Sequence, residues 1–119
     1  MAKELFGTDG IRGVAGQYPL DAATIQAVGV ALGRIMRDMS GGTEVVLGID
    51  TRESGPWIAA HLAGGLLAER VRLRYAGVVT TPGVAYLART GPFAAGVVIS
   101  ASHNPYQDNG IKIFDHSGY

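Results

Sequence analysis

The sequence predicts an α/β fold, a three-layer α/β/α domain with a four-stranded mixed sheet. Three observations lead there. Stretches with helical periodicity alternate with short β-branched apolar runs, and such alternation builds a mostly parallel sheet covered by helices on both faces. The run Ala94–Ile99 is apolar without alternation, as a strand buried on both sides should be. The link into the last strand is too short for a crossover helix, so that strand runs antiparallel.

Each element has its own signal. Residues 3–19 carry too many glycines for a regular element and are read as an irregular opening. Asp21 then stands as an N-cap before Ile25, Val28, Leu32, Ile35 and Met39, which recur at helical spacing, and Ser40-Gly41-Gly42 stops the helix. Val45–Ile49 is the first strand and ends in Asp50-Thr51-Arg52. Ser54-Gly55-Pro56 reads as N-cap and first turn of a second helix running from Trp57 to about Glu69. Arg72–Val79 is the second strand. Thr80 or Thr81 with Pro82 opens a third helix, closed at Gly91-Pro92. Ala94–Ile99 is the third strand. Asp108-Asn109-Gly110 is a turn signal, and Ile111–Phe114 is the fourth strand, placed at a sheet edge.

The expected strand order is 2-1-3-4. In such sheets a site forms beyond the carboxyl ends of the strands where the order switches, here the first and third. Those ends carry Asp50-Thr51-Arg52 and Ser100-Ala101-Ser102-His103-Asn104-Pro105.

Composition narrows the function classes. Ten basic and ten acidic residues cancel, which gives no electrostatic case for nucleic acid or an anionic membrane. The first residues, MAKELFGTDG, lack an apolar signal core, and no apolar run reaches membrane-span length, so a cytoplasmic protein is expected. Absence of cysteine removes disulfide and thiol chemistry. Glycine is abundant at 18 of 119 residues, about double the usual share of roughly 7%. At this length the chain is one domain.

Several side chains invite a chemical and a bland reading together. A serine just beyond a buried strand is exposed and held at its base, which suits a nucleophile or phosphoryl carrier, yet Ser, Asn and Pro also make ordinary turns. The spacing is not that of a hydrolase elbow. Lys112 either guards an edge strand or reaches a phosphate near Ser102. Arg12, between Gly10 and Gly13, is a guanidinium fork for phosphate or a surface arginine. Arg52 allows the same two readings, with Asp50 as its partner. Arg70, Arg72 and Arg74 read as a solvated face, and His61 and His116 carry no assigned role. The aspartates have no metal-loop spacing, so a divalent ion here would need ligands from elsewhere.

FGTDGIRG (6–13), GIDTRESG (48–55), TPGVAYL (81–87) and ISASHNPYQDNGIKIF (99–114) together resemble the N-terminal domain of the α-D-phosphohexomutases. The wording of the first and last blocks favours the member acting on glucosamine phosphate over those acting on mannose or glucose phosphates. The resemblance implies an isomerase in which Ser102 carries a phosphoryl group, gives it to a hexosamine monophosphate, and recovers the other phosphate from a bisphosphate intermediate. It implies His103 beside the serine, Lys112 as acid/base or phosphate contact, and Arg12 as substrate clamp. Ser100, Asn104 and Arg52 are then supporting or phosphate-binding residues.

It further implies Mg²⁺ shared between the Ser102 phosphate and aspartates of a second domain. The chain is then expected to be domain 1, residues 1–119, with domains 2–4 absent from it. Alone it should be inactive, expose apolar faces meant for those domains, and self-associate through them. A non-catalytic phosphate-binding module is the alternative from another class.

Overall fold

The computed structural model describes residues 10–39, 43–101, 105 and 107–115, the side chains of Met39 and Asp115 excepted. The elements are β1 (Ile11–Val14), α1 (Ala22–Met39), β2 (Glu44–Ile49), α2 (Gly55–Ala68), β3 (Arg72–Val78), α3 (Thr81–Thr90), β4 (Ala95–Ile99) and β5 (Asp108–Asp115). One sheet holds all five strands in the order β1-β5-β4-β2-β3. β2 pairs in parallel with β3 and β4, whereas β5 runs antiparallel to β4 and β1.

The segment β3-β2-β4-β5 reproduces the expected order and directions. Two expectations are corrected. The sheet has five strands, because Ile11–Val14, read as irregular, is a strand. The Asp108-Asn109-Gly110 turn is instead the first part of β5, with Gly110 opposite Arg12, Asn109 opposite Gly13 and Asp108 opposite Val14. The two errors have one cause. A strand of four residues with two glycine neighbours offers little hydrophobic pattern, and without it nothing shows that 108–110 has a pairing partner. β5 is consequently interior, so Lys112 does not guard an edge.

α1 and α2 cover one face of the sheet. Ile25, Val28 and Leu32 of α1 and Ile58, Leu62 and Leu66 of α2 pack there on Val45, Leu47, Val97 and Ile99. Ile35, expected on that stripe, is exposed, and Met36 packs instead. At 3.6 residues per turn Ile35 falls about 20° outside Val28 at the margin of the stripe, whereas Met36 lies about 20° from Ile25, on the side where Gly29 meets α2. The two helices meet backbone to backbone. A Cβ on Gly29 would sit 2.4 Å from the Leu62 carbonyl oxygen, and one on Gly65 would sit 2.2 Å from that of Gln26.

α3 covers the other face, where Val84 and Ala88 pack on Val46, Val98 and Phe114. Its N-cap is Thr80, whose hydroxyl accepts the Gly83 N–H at 3.1 Å. α1 is capped by Asp21, whose carboxylate accepts the Thr24 N–H at 3.1 Å and its hydroxyl at 2.7 Å. The strand at the β3 edge exposes Arg72 and Arg74 as expected, with Arg74 bound to Glu44 at 2.9 Å.

Candidate active site

A row of isoleucines closes the core beneath the carboxyl edge of the sheet. Ile49 is level with Ile99, Ile99 with Ile111, and Ile111 with Ile11, all four buried against α1 and α2. The next position towards that edge is held by Asp50, Ser100, Gly110 and Arg12, three of them polar. Since β2 has β3 on one side and β4 on the other, this edge is also the point where the strand order switches.

Gly110 lies at the centre of that row. A Cβ there would come 2.8 Å from the Ser100 carbonyl oxygen and 3.1 Å from Cγ of Arg12, so both residues converge over its backbone. The Ser100 N–H also donates to the Gly110 carbonyl at 3.0 Å. Cross-strand partners and residues two apart along a strand share a face. Arg12, opposite Gly110, therefore lies on the same face as Lys112, which is level with Val98. That is the α3 side of the sheet. Arg12 is exposed, and half-buried Lys112 holds its ammonium 5.7 Å from the Phe114 ring centre. Gly10 serves this geometry rather than a ligand: its φ is +81°, and a Cβ would fall 2.3 Å from the Ile111 carbonyl oxygen.

Asp50 is a hub. Its carboxylate accepts the Arg52 backbone N–H at 3.0 Å, the Arg52 guanidinium, and the Ser100 hydroxyl at 2.9 Å. Arg52 is only 9% exposed, so of its two expected roles the surroundings suit support. A second tie lies nearby. Asn109, fully buried, donates from Nδ2 to the Ser54 hydroxyl at 2.8 Å, and its Oδ1 accepts the Gly110 N–H at 2.9 Å. Ser54 does precede α2 as expected, but its hydroxyl makes no cap hydrogen bond. Beside it opens a groove of about 340 Å³ lined by Ala15, Gly16, Glu53, Ser54 and Trp57.

The structure thus sets Arg12, Ser100 and Arg52 along one edge, while Lys112, level with Val98, stands further down the Arg12 face with its ammonium towards Phe114. Ser102, His103 and Asn104 lie outside the described residues. Sequence reasoning named Asp50 only as a partner for Arg52 and missed Ser54 and Asn109 as tie residues. Nothing local marks Asn109, because Asn-Gly reads as a turn until the strand opposite it is known.

A family model, phosphoglucomutase/phosphomannomutase alpha/beta/alpha domain I, matches residues 3–119. The chain belongs to this family. Among phosphoglucosamine mutases it is 66% identical to that of Solibacter usitatus, covering the whole chain and 27% of the relative. It is 56% identical to that of Koribacter versatilis, over 98% of the chain and 25% of the relative. A crystal structure of a phosphoglucomutase/phosphomannomutase family protein from Burkholderia thailandensis superposes with a TM-score of 0.81. That match is 35% identical and covers 97% of this chain and 26% of that one. The chain spans about a quarter of the length of these relatives. No helix among the described residues is long and apolar enough to cross a membrane.

Family membership raises the question of a metal. Among the described residues no group of three or more His, Asp or Glu side chains gathers to hold one. Asp50, the carboxylate at the carboxyl edge, is turned to Arg52 and Ser100. The described part of this domain does not itself form a metal site.

Proposed function

We propose that this chain is the phosphoryl-carrying first domain of a phosphoglucosamine mutase. Ser102 holds the phosphoryl group in the resting enzyme and exchanges it with a hexosamine monophosphate. In the forward direction the Ser102 Oγ–P bond breaks as the free hydroxyl of glucosamine 6-phosphate bonds to phosphorus. That hydroxyl releases its proton, for which His103 and Lys112 are the candidate acceptors. The resulting bisphosphate returns its other phosphoryl group to Ser102, and glucosamine 1-phosphate leaves.

One observation supports this most: Arg12 stands at the carboxyl edge with Ser100 converging on it over Gly110, and Lys112 lies on the same sheet face. Two cations fixed on rigid strands suit a dianionic substrate and a transferring phosphoryl group. Ser102 is the better carrier than Ser100, because the Ser100 hydroxyl is 2.9 Å from the Asp50 carboxylate. A phosphate there would meet like charge. Mg²⁺, which neutralises charge on a transferring phosphoryl group, would meet this domain at the Ser102 phosphate and take its carboxylates from the second domain. No step here is assigned to it. The remaining domains are then the partners of the exposed Trp57, Tyr75, Val78 and Tyr86.

The test uses the full-length enzyme. Ser102→Ala should lower turnover of glucosamine 6-phosphate by more than about a thousandfold. Full activity in that variant refutes the carrier assignment. Competition among glucosamine, mannose and glucose phosphates should favour glucosamine, and preference for mannose or glucose phosphate would place the enzyme elsewhere in the family.

A further inference from the structure

The short connection between β2 and α2, residues 50–54, touches the chain on both sides of the segment that bears Ser102. Asp50 accepts the Ser100 hydroxyl at 2.9 Å, and Ser54 accepts the Asn109 side-chain amide at 2.8 Å. Ser100 follows the end of β4 and Asn109 is the second residue of β5, one on each side of that segment.

Three features say that these ties were selected over ordinary alternatives. Ser54 stands where an N-cap hydroxyl normally takes a helix N–H, an interaction typically worth about 1 kcal/mol, yet its oxygen is given to a residue 55 positions away. Asn109 is fully buried near the start of β5, where an apolar residue would be the default. Its amide is used at both ends, Nδ2 on Ser54 and Oδ1 on the Gly110 N–H. Asp50, for its part, is itself fixed by Arg52 through both backbone and guanidinium.

We infer that residues 50–54 are a positioning platform for phosphoryl transfer, with Asp50 and Ser54 holding the two feet of the Ser102 segment through Ser100 and Asn109. This rests on the phosphoserine reading above. The platform touches neither substrate nor phosphate. It acts by keeping the serine's chain supports at fixed separation from Arg12 and Lys112, which stand on strands of the same sheet. In-line phosphoryl transfer tolerates little misplacement, and a 1 Å error can cost about a hundredfold in rate.

The experiment compares Ser100→Ala, Ser54→Ala and their double variant with the unaltered full-length enzyme, alongside Ser100→Thr and Ser54→Thr. Steady-state kinetics, thermal melting and occupancy of phosphate on Ser102 by mass spectrometry are measured for each. Each alanine variant should lose about 10- to 100-fold in kcat, with KM for glucosamine 6-phosphate within about threefold. Ser102 should still accept phosphate, and threonine should restore most of the rate. A fall in melting temperature with kcat unchanged at a permissive temperature overturns the inference and leaves the ties as structural. A rise in KM with kcat unchanged also overturns it, because the residues would then bind substrate. Should Ser54→Ala fail to fold, Ser100→Ala decides alone, since its partner Asp50 is only partly buried and keeps Arg52. An unaltered enzyme without mutase turnover refutes the functional reading itself, a failure separable from the others because it precedes any substitution.

Discussion

Asp50 and Glu69 are carboxylates at opposite ends of the same sheet, and each gathers charged or polar partners. Asp50, at the carboxyl edge, holds Arg52 and Ser100. Glu69, at the amino edge, holds Arg34 at 3.4 Å and Arg37 at 3.1 Å. The difference lies in the cations. Arg52 is 9% exposed, whereas Arg34 and Arg37 are 65% and 49% exposed. A guanidinium out of water depends on its carboxylate, while one in water does not, so similar contacts carry different weight. The buried set also reaches across the sheet to hold the candidate active site. The exposed set joins the last turns of α1 to the end of α2.

Substitutions test this contrast, and they rank in a clear order. Asp50→Ala should have the largest effect on stability, about 2–4 kcal/mol by urea unfolding, because it strips a buried guanidinium of its carboxylate. A loss below about 1 kcal/mol would mean that the two ends of the sheet do not differ. Glu69→Ala should cost about 1 kcal/mol or less, and that cost should shrink further in high salt. Arg70 follows it. Its φ of +62° lies in the left-handed region, in a Schellman-type helix end where Val71 donates to the Leu66 carbonyl and Arg70 to that of Leu67. Arg70→Gly should raise stability by less than about 1 kcal/mol, relief of strain being offset by unfolded-state freedom. It should leave the kinetics of the full enzyme untouched.

The smallest effect is titrational. Hydrogen bonds from the Thr24 side chain and backbone hold the Asp21 carboxyl below the usual aspartate range. Its contribution is therefore whole above that range and is lost as pH falls through the lowered pKa. Asp21→Asn should flatten that part of the acid limb of stability, with a small loss on the neutral plateau and none at acid pH.

These comparisons also show what a reader of the sequence can and cannot see. The order of four strands was legible because Val45–Ile49, Arg72–Val78 and Ala94–Ile99 announce themselves by local composition. Arg12 and Lys112 were legible by their glycine neighbours and by motif. The strand Ile11–Val14 was not, since its stability comes from pairing with residues about a hundred positions later. The same non-locality hid the platform. Nothing near Ser54 says that its hydroxyl belongs to Asn109 rather than to its own helix, and nothing near Ser100 names Asp50. Motifs mark the groups that do chemistry, whereas the groups that hold them are set by the fold.

The most direct measurement is the site of phosphate in the resting full-length enzyme, mapped by mass spectrometry on the peptide spanning residues 100–112. Phosphate on Ser102 is the predicted result. Phosphate on Ser100, against the carboxylate of Asp50, or none on this peptide, would contradict the account.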